Sequence, residues 1–258
     1  MVLFLLLISF IMGSVIGSFL NVVIDRVPHK KSLVRGRSHC DFCHKKLVWF
    51  ELIPIISYIF LHGKCRHCKK TIPFRVLIVE LLTGFGYLCI LSWAFVTGLS
   101  VISLFLFLLT FSVCIAIFFI DIEQRIIPDS LLIVLGIIGV VTVIFSPLDT
   151  LALRIVIALL SFLVFFGLFY VTSGRGMGFG DVKFALAIGF LLGFPGALVA
   201  FYTAFLTGAV ISLILVIGGR KKFKTGTIPF GPFLVIGILV AMFFSAQILQ
   251  YVSLFFHV

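Results

Sequence analysis

Apolar and polar positions alternate along this chain on the scale of a bilayer rather than of a helical turn or a strand. Long apolar runs cover residues 2–24, 76–97, 99–120, 130–147, 151–173, 182–194, 196–217 and 232–256. Crossing a hydrocarbon core takes about 20 helical residues, so the pattern predicts an all-α polytopic membrane protein with about eight transmembrane helices, the 182–194 piece being the shortest. No basic residue precedes the first run and no polar cleavage region follows it, which predicts a retained helix rather than a signal peptide. One polar segment, 25–75, is long enough to form a small extramembrane domain. The expected organisation is therefore a first helix (1–24), a loop domain (25–75) and a helical membrane domain (76–258). Inside the loop, Leu47–Leu61 is apolar but too short to span, and it either lies on the membrane surface or folds back on the loop. No internal repeat is apparent, and the glycine run at 174–180 is the one low-complexity segment.

Composition agrees with this reading. The chain is 62% hydrophobic and 11% charged, with a mean hydropathy of +1.33, which excludes a soluble globular domain. A net charge of +11 raises nucleic acid as a partner. That reading needs a solvated basic face with readout residues, whereas the basic residues here lie between apolar runs, so the bilayer is the expected partner and nucleic acid is not. Cytoplasmic loops collect Lys and Arg. With the N-terminus outside, segments 25–75, 121–129, 174–183 and 218–231 face the cytoplasm and hold 19 of the 20 basic residues, Arg154 being the exception. A seven-span chain would put Arg220, Lys221, Lys222 and Lys224 on the wrong face.

Against that background the nine carboxylates stand out: Asp25, Asp41, Glu51, Glu80, Asp121, Glu123, Asp129, Asp149 and Asp181. Asp121 directly follows the run ending at Ile120, and Asp181 closes Gly174-Arg-Gly-Met-Gly-Phe-Gly-Asp181. Both are expected at cytoplasmic helix ends. Two carboxylates at one membrane depth are what an aspartyl hydrolase needs, one ionised to take a proton from water and the other protonated to donate to the substrate carbonyl. The glycine run would let the Asp181 segment move toward Asp121 when substrate arrives. Carboxylates near helix ends are also common as caps or ion-pair partners. Asp129 after Pro128 reads as a cap for the following helix; Glu123 either pairs with Arg125 or faces the cytosol; Glu80 either snorkels to the interface or pairs with a basic residue.

The long loop carries two C-x-x-C knuckles, Cys40-Asp-Phe-Cys43 and Cys65-Arg-His-Cys68, separated by 21 residues. This lies just beyond a common structural-zinc spacing and permits one tetrahedral site of four thiolates. Reducing cytoplasm disfavours disulfides there, and Lys45, Lys46, Lys64, Arg66, Lys69 and Lys70 offset the charge of such a centre. His39, His44, His62 and His67 are close enough in sequence to replace a thiolate, though none is needed. Cys89 and Cys114 fall within spans and read as small apolar fillers.

Several of these residues together carry a resemblance. Gly178-Phe179-Gly180-Asp181, with Phe119-Ile120-Asp121 ahead of Ile127-Pro128-Asp129, resembles the G-x-G-D aspartyl proteases, and specifically the bacterial type IV prepilin leader peptidases. Gly17-Ser18-Phe19-Leu20-Asn21-Val22 running to Arg26-Val27-Pro28 is similar to the N-terminal signature of that branch, and Ile228-Pro229-Phe230-Gly231-Pro232-Phe233 to its C-terminal one. The resemblance implies Asp121 and Asp181 as the catalytic pair, and prepilins or pseudopilins as substrates, cut after a glycine between a short basic leader and an apolar helix. It also implies a second activity, methylation of the new N-terminus from S-adenosylmethionine. No nucleotide-binding glycine pattern follows a strand, so the donor site is expected in the large loop and adjoining helix ends, around Asn21, Asp25 and Arg26. Two other classes remain. One is a proton- or cation-coupled transporter using the same acids, which repeated halves or mid-membrane charges would favour; the other is a non-catalytic zinc-bearing scaffold.

Overall fold

A computed structural model describes residues 2–33, 36, 38–40, 42–145, 150–174, 176–218 and 229–256. The basic residues Arg220, Lys221, Lys222 and Lys224, together with Arg35, Arg37, Asp41, Asp149, Arg175 and Ile228, lie outside them. Among the described residues the chain is helical, with no strand beyond two isolated antiparallel bridges. Among the described residues five helices are long and apolar enough to cross a membrane, and Asp129–Phe145 and Gly231–Phe244 are shorter apolar helices. The protein is thus a multi-pass helical membrane protein. It divides into two compact units, Met1–Ala116 and Ile117–Val258.

In the first unit, α1 (Val2–Arg26) packs along α3 (Phe74–Thr97). Lipid offers no hydrophobic drive for pairing, so small residues must let backbones approach. Gly13 and Gly17 do this on α1. A Cβ at Gly13 would lie 2.6 Å from the Thr83 carbonyl oxygen, and one at Gly17 would lie 2.8 Å from the Glu80 Cα. Between these helices the loop forms a 3₁₀ turn, Trp49–Leu52, and a short α2, Ile56–Phe60. The apolar stretch folds back on the loop: the Tyr58 hydroxyl donates to the Ile72 carbonyl at 3.4 Å and the Ile55 N–H donates to Glu80 Oε2 at 2.7 Å. It also leaves Trp49, Ile59 and Phe60 exposed. Glu80 corrects its expected role. It is buried and serves as a backbone acceptor, because Ile55 enters α2 with φ 63° and its N–H needs a partner from outside.

In the second unit, α7 (Phe179–Ile217) packs against α5 (Asp129–Phe145), α6 (Leu151–Val171) and α8 (Gly231–Phe256). The expected pieces 182–194 and 196–217 are the two helical segments of α7, separated by non-helical backbone at Gly193 and Phe194, ahead of a cis Phe194–Pro195 bond. A break leaves helical carbonyls without donors. Arg154 supplies them: its Nη1 donates to the carbonyls of Phe190 and Leu191 and to Thr142 Oγ1. The one basic residue off the cytoplasmic pattern is therefore a buried cap, 6% exposed, at the negative end of a half-helix.

Candidate functional site

Asp121 sits in the last turn of α4 (Val101–Gln124). The helix ends just beyond it, where Arg125 takes φ 56°. Asp181 sits in the first turn of α7. Its Oδ2 accepts the Gly178 N–H at 3.0 Å, and its own N–H donates back to the Gly178 carbonyl at 3.1 Å. The first bond is the acid's half of a capping box; glycine has no side chain for the other half, and its backbone carbonyl accepts instead. The G-x-G-D sequence thus starts the helix and fixes the carboxylate at once.

Both acids are buried, Asp121 at 5% and Asp181 at 7% exposure. Packing of their two segments brings them together. Gly180 rests on Ile127, to which an added Cβ would lie at 3.5 Å, and Lys183 Nζ reaches Asp129 Oδ1 at 2.6 Å and Oδ2 at 2.9 Å. Asp129 is itself the first residue of α5, so its carboxylate is an ion-pair partner at the rim of the site. Glu123 is exposed. Of the four glycines at 174, 176, 178 and 180, only Gly174 takes a positive φ, 71°.

One participant carried no assigned role in the sequence. The Gly231 N–H donates to Asp121 Oδ2 at 3.0 Å, and a Cβ on residue 231 would stand 2.5 Å from that oxygen and 3.0 Å from Cγ. Only glycine lets the start of α8 approach the acid this closely. The Ile-Pro-Phe-Gly-Pro motif flagged the position but not its partner, 110 residues earlier.

In the first unit the four thiols of Cys40, Cys43, Cys65 and Cys68 converge, with all sulfurs within 4.8 Å of one another and Cys40 Sγ 3.7 Å from Cys68 Sγ. Zinc–sulfur bonds of about 2.3 Å in a tetrahedron put sulfurs roughly 3.8 Å apart, so the donor set and its spacing fit that ion. None of the loop histidines, His39, His44, His62 and His67 included, joins the cluster. The two knuckles share one backbone pattern. Cys40 N–H donates to Lys45 O and His44 N–H to Cys40 O; Cys65 N–H donates to Lys70 O and Lys69 N–H to Cys65 O. Bridges His39–Lys46 and Lys64–Thr71 close both turns, and His44 and Lys69 share φ near 60°. Backbone N–H groups of Cys68 and His67 bonded to the Cys65 sulfur lower its thiol to about 7, while burial and the neighbouring thiols push Cys68 up to about 11, as clustered thiols cannot all ionise without a cation between them.

The expected donor region splits. Asn21 and Asp25 line a cavity that also touches the knuckles, whereas Arg26 turns away to hold the loop, its Nη1 donating to the Ser32 carbonyl at 3.0 Å. Asp25 accepts from Arg75 Nη2 at 2.6 Å. Of the remaining thiols, Cys114 is buried and Cys89 exposed.

Known proteins match this chain along most of its length. The Bacterial Peptidase A24 N-terminal domain matches residues 11–95 and the Type IV leader peptidase family matches 107–213; the four clustered cysteines fall in the first match and both candidate acids in the second. The Prepilin leader peptidase/N-methyltransferase of Bacillus subtilis (strain 168) is 33% identical over 96% of this chain and 97% of its own length. The protein of that name from Legionella pneumophila is 33% identical over 96% and 94%, and that of Aeromonas salmonicida is 28% identical over 94% and 91%. No solved structure matches. Spanning these relatives from end to end, and placing its buried acid pair inside the peptidase match, the chain belongs to the type IV leader peptidase family and is a peptidase.

Proposed function

We propose that this chain is an intramembrane aspartyl endopeptidase that removes the short basic leader of type IV prepilin-like proteins, with Asp121 and Asp181 as its catalytic pair. One observation carries the reading: two buried carboxylates from α4 and α7, each with Oδ2 tied to a backbone N–H, keep their other oxygens for chemistry. One carboxylate takes a proton from water as the water oxygen bonds to the scissile carbonyl carbon, and the other donates its proton to the carbonyl oxygen. Collapse of the resulting diol breaks the C–N bond as a proton passes to the leaving amine. The cut follows a glycine at the cytoplasmic membrane face, with the N-terminus outside. This orientation rests on the distribution of basic residues.

The loop domain 25–75 holds one structural zinc on Cys40, Cys43, Cys65 and Cys68, closing two knuckles that have little apolar core of their own. The names of the relatives support a second activity here, methylation of the freed N-terminus, for which S-adenosylmethionine supplies an electrophilic methyl carbon.

The test is a purified full-length protein incubated with a prepilin-like peptide, with and without S-adenosylmethionine, and followed by mass. Leader loss and one added methyl group are expected. Asp121→Asn and Asp181→Asn should each lower cleavage by about 10³-fold or more at unchanged abundance. Normal processing by either variant overturns the catalytic assignment.

A further inference from the structure

We propose that the cavity enclosed by α1, the knuckle loop and α3 is the methyl-donor site and recognises the donor's sulfonium through buried carboxylates. This rests on the methyltransferase reading above. The cavity measures about 240 Å³. A cavity of about 150 Å³ holds a benzene ring, so this one takes a purine and part of its sugar, with the remainder of the donor in the open side.

The chemistry of the wall selects the ligand. Asp25, Glu51 and Glu80 line it together with Arg66, Lys70 and Arg75, and Asp25 is already held by Arg75, so the two buried glutamates are the acids that face the cavity's interior chemistry. Glu51 and Glu80 are 9% and 4% exposed, and each has one oxygen occupied by a backbone N–H, from Val48 at 2.9 Å and Ile55 at 2.7 Å. Glu80 also accepts from the Ser18 side chain, and the acceptor capacity left on the two carboxylates suits a cation brought by a ligand, since a buried carboxylate is stable only when compensated. Asn21 Nδ2 faces two carbonyls, Gly17 at 3.3 Å and Val76 at 3.2 Å, which fixes the amide orientation and leaves Oδ1 as a buried acceptor with no donor. An exocyclic purine amine is such a donor. Tyr58 offers a ring face and Arg66 a partner for an amino-acid carboxylate. A second cavity, about 430 Å³ among α5, α6 and α7, has the Asp129–Lys183 pair against apolar walls and offers little to a charged nucleoside.

In the transfer, the amine lone pair of the substrate forms the new N–C bond as the methyl C–S bond breaks. A proton leaves the nitrogen, and the donor departs as neutral S-adenosylhomocysteine. Donor and product therefore differ in one positive charge, and that difference is the test. Binding of S-adenosylmethionine and of S-adenosylhomocysteine to the full-length protein in detergent is measured by calorimetry for the wild type, Glu80→Gln and Glu51→Gln. Either variant should weaken S-adenosylmethionine about tenfold or more while S-adenosylhomocysteine moves less than about threefold, the retained product binding showing that the cavity is intact. Parallel losses, or none in both variants, overturn the proposal. Independently of any variant, ultraviolet cross-linking of radiolabelled S-adenosylmethionine to the wild type should place label within residues 18–80. Label within 117–258, or none that excess S-adenosylhomocysteine displaces, also overturns it. Peptide cleavage without donor, run on the same preparation, reports on the protease reading separately.

Discussion

Replacing Gly231 by alanine tests whether the start of α8 positions the catalytic acid. The added methyl would sit 2.5 Å from Asp121 Oδ2, 3.0 Å from Cγ and 3.3 Å from Cβ, all inside ordinary van der Waals contact. Either the carboxylate or the first turn of α8 must retreat by about 1 Å, a displacement at which catalytic misalignment costs roughly 100-fold. Overpacking of this kind destabilises by about 1–3 kcal/mol, offset by about 1 kcal/mol because alanine favours a helix over glycine. The protein should therefore remain folded while its chemistry fails. In the peptide assay kcat should fall about 100-fold with KM changed far less, since the substrate contacts away from the acids are untouched. Gly167→Ala in α6 is the control, because nothing lies within 4 Å of a Cβ there. A Gly231→Ala enzyme with wild-type kcat, or an equal loss in Gly167→Ala, would refute the reasoning.

Three further outcomes are expected. Arg154→Met should destabilise by about 3 kcal/mol, because it strips a charge-assisted donor from two carbonyls at the α7 break and from Thr142; an unchanged unfolding midpoint in detergent would show that the cap is dispensable. Cys40→Ser or Cys65→Ser should take bound zinc from about one per chain to near zero by metal analysis, and full zinc retention in both would remove the four-thiolate centre. A disulfide between Ile127→Cys and Gly180→Cys, positions that already face each other, should abolish turnover until reduced if the glycine loop must move during catalysis. Full activity in the oxidised form would mean that the packed arrangement is already the competent one.

Helix positions, the paired cysteines and both acids were legible in the sequence because each is written locally. Apolar runs of bilayer length have few structural options once water is removed, and helix ends in the structure fall within a few residues of the runs. The C-x-x-C pairs similarly dictate their own turns. The pattern the two knuckles share was also open to reading: Cys40-x-x-Cys43-His44 and Cys65-x-x-Cys68-Lys69 keep one register, but the side chains around the cysteines differ and mask it.

What the sequence could not show is which distant groups meet. Glu80 looked like a snorkelling acid because its own helix gives no sign of Ile55, 25 residues earlier, whose N–H it accepts. Arg154 looked like a stray charge until the break at Gly193 supplied carbonyls from 36 and 37 residues away. Gly231 belonged to a motif without a task until α8 came to rest against Asp121. The sequence by itself determined that this is a helical membrane protein with two candidate acids and a four-thiol loop, since hydrophobic length, capping pattern and cysteine spacing act over a few turns of chain. Only tertiary structure decided which backbone N–H holds Asp121 and which holds Glu80, and which polar groups share a cavity, because those pairings are set by the packing of helices that no local pattern encodes.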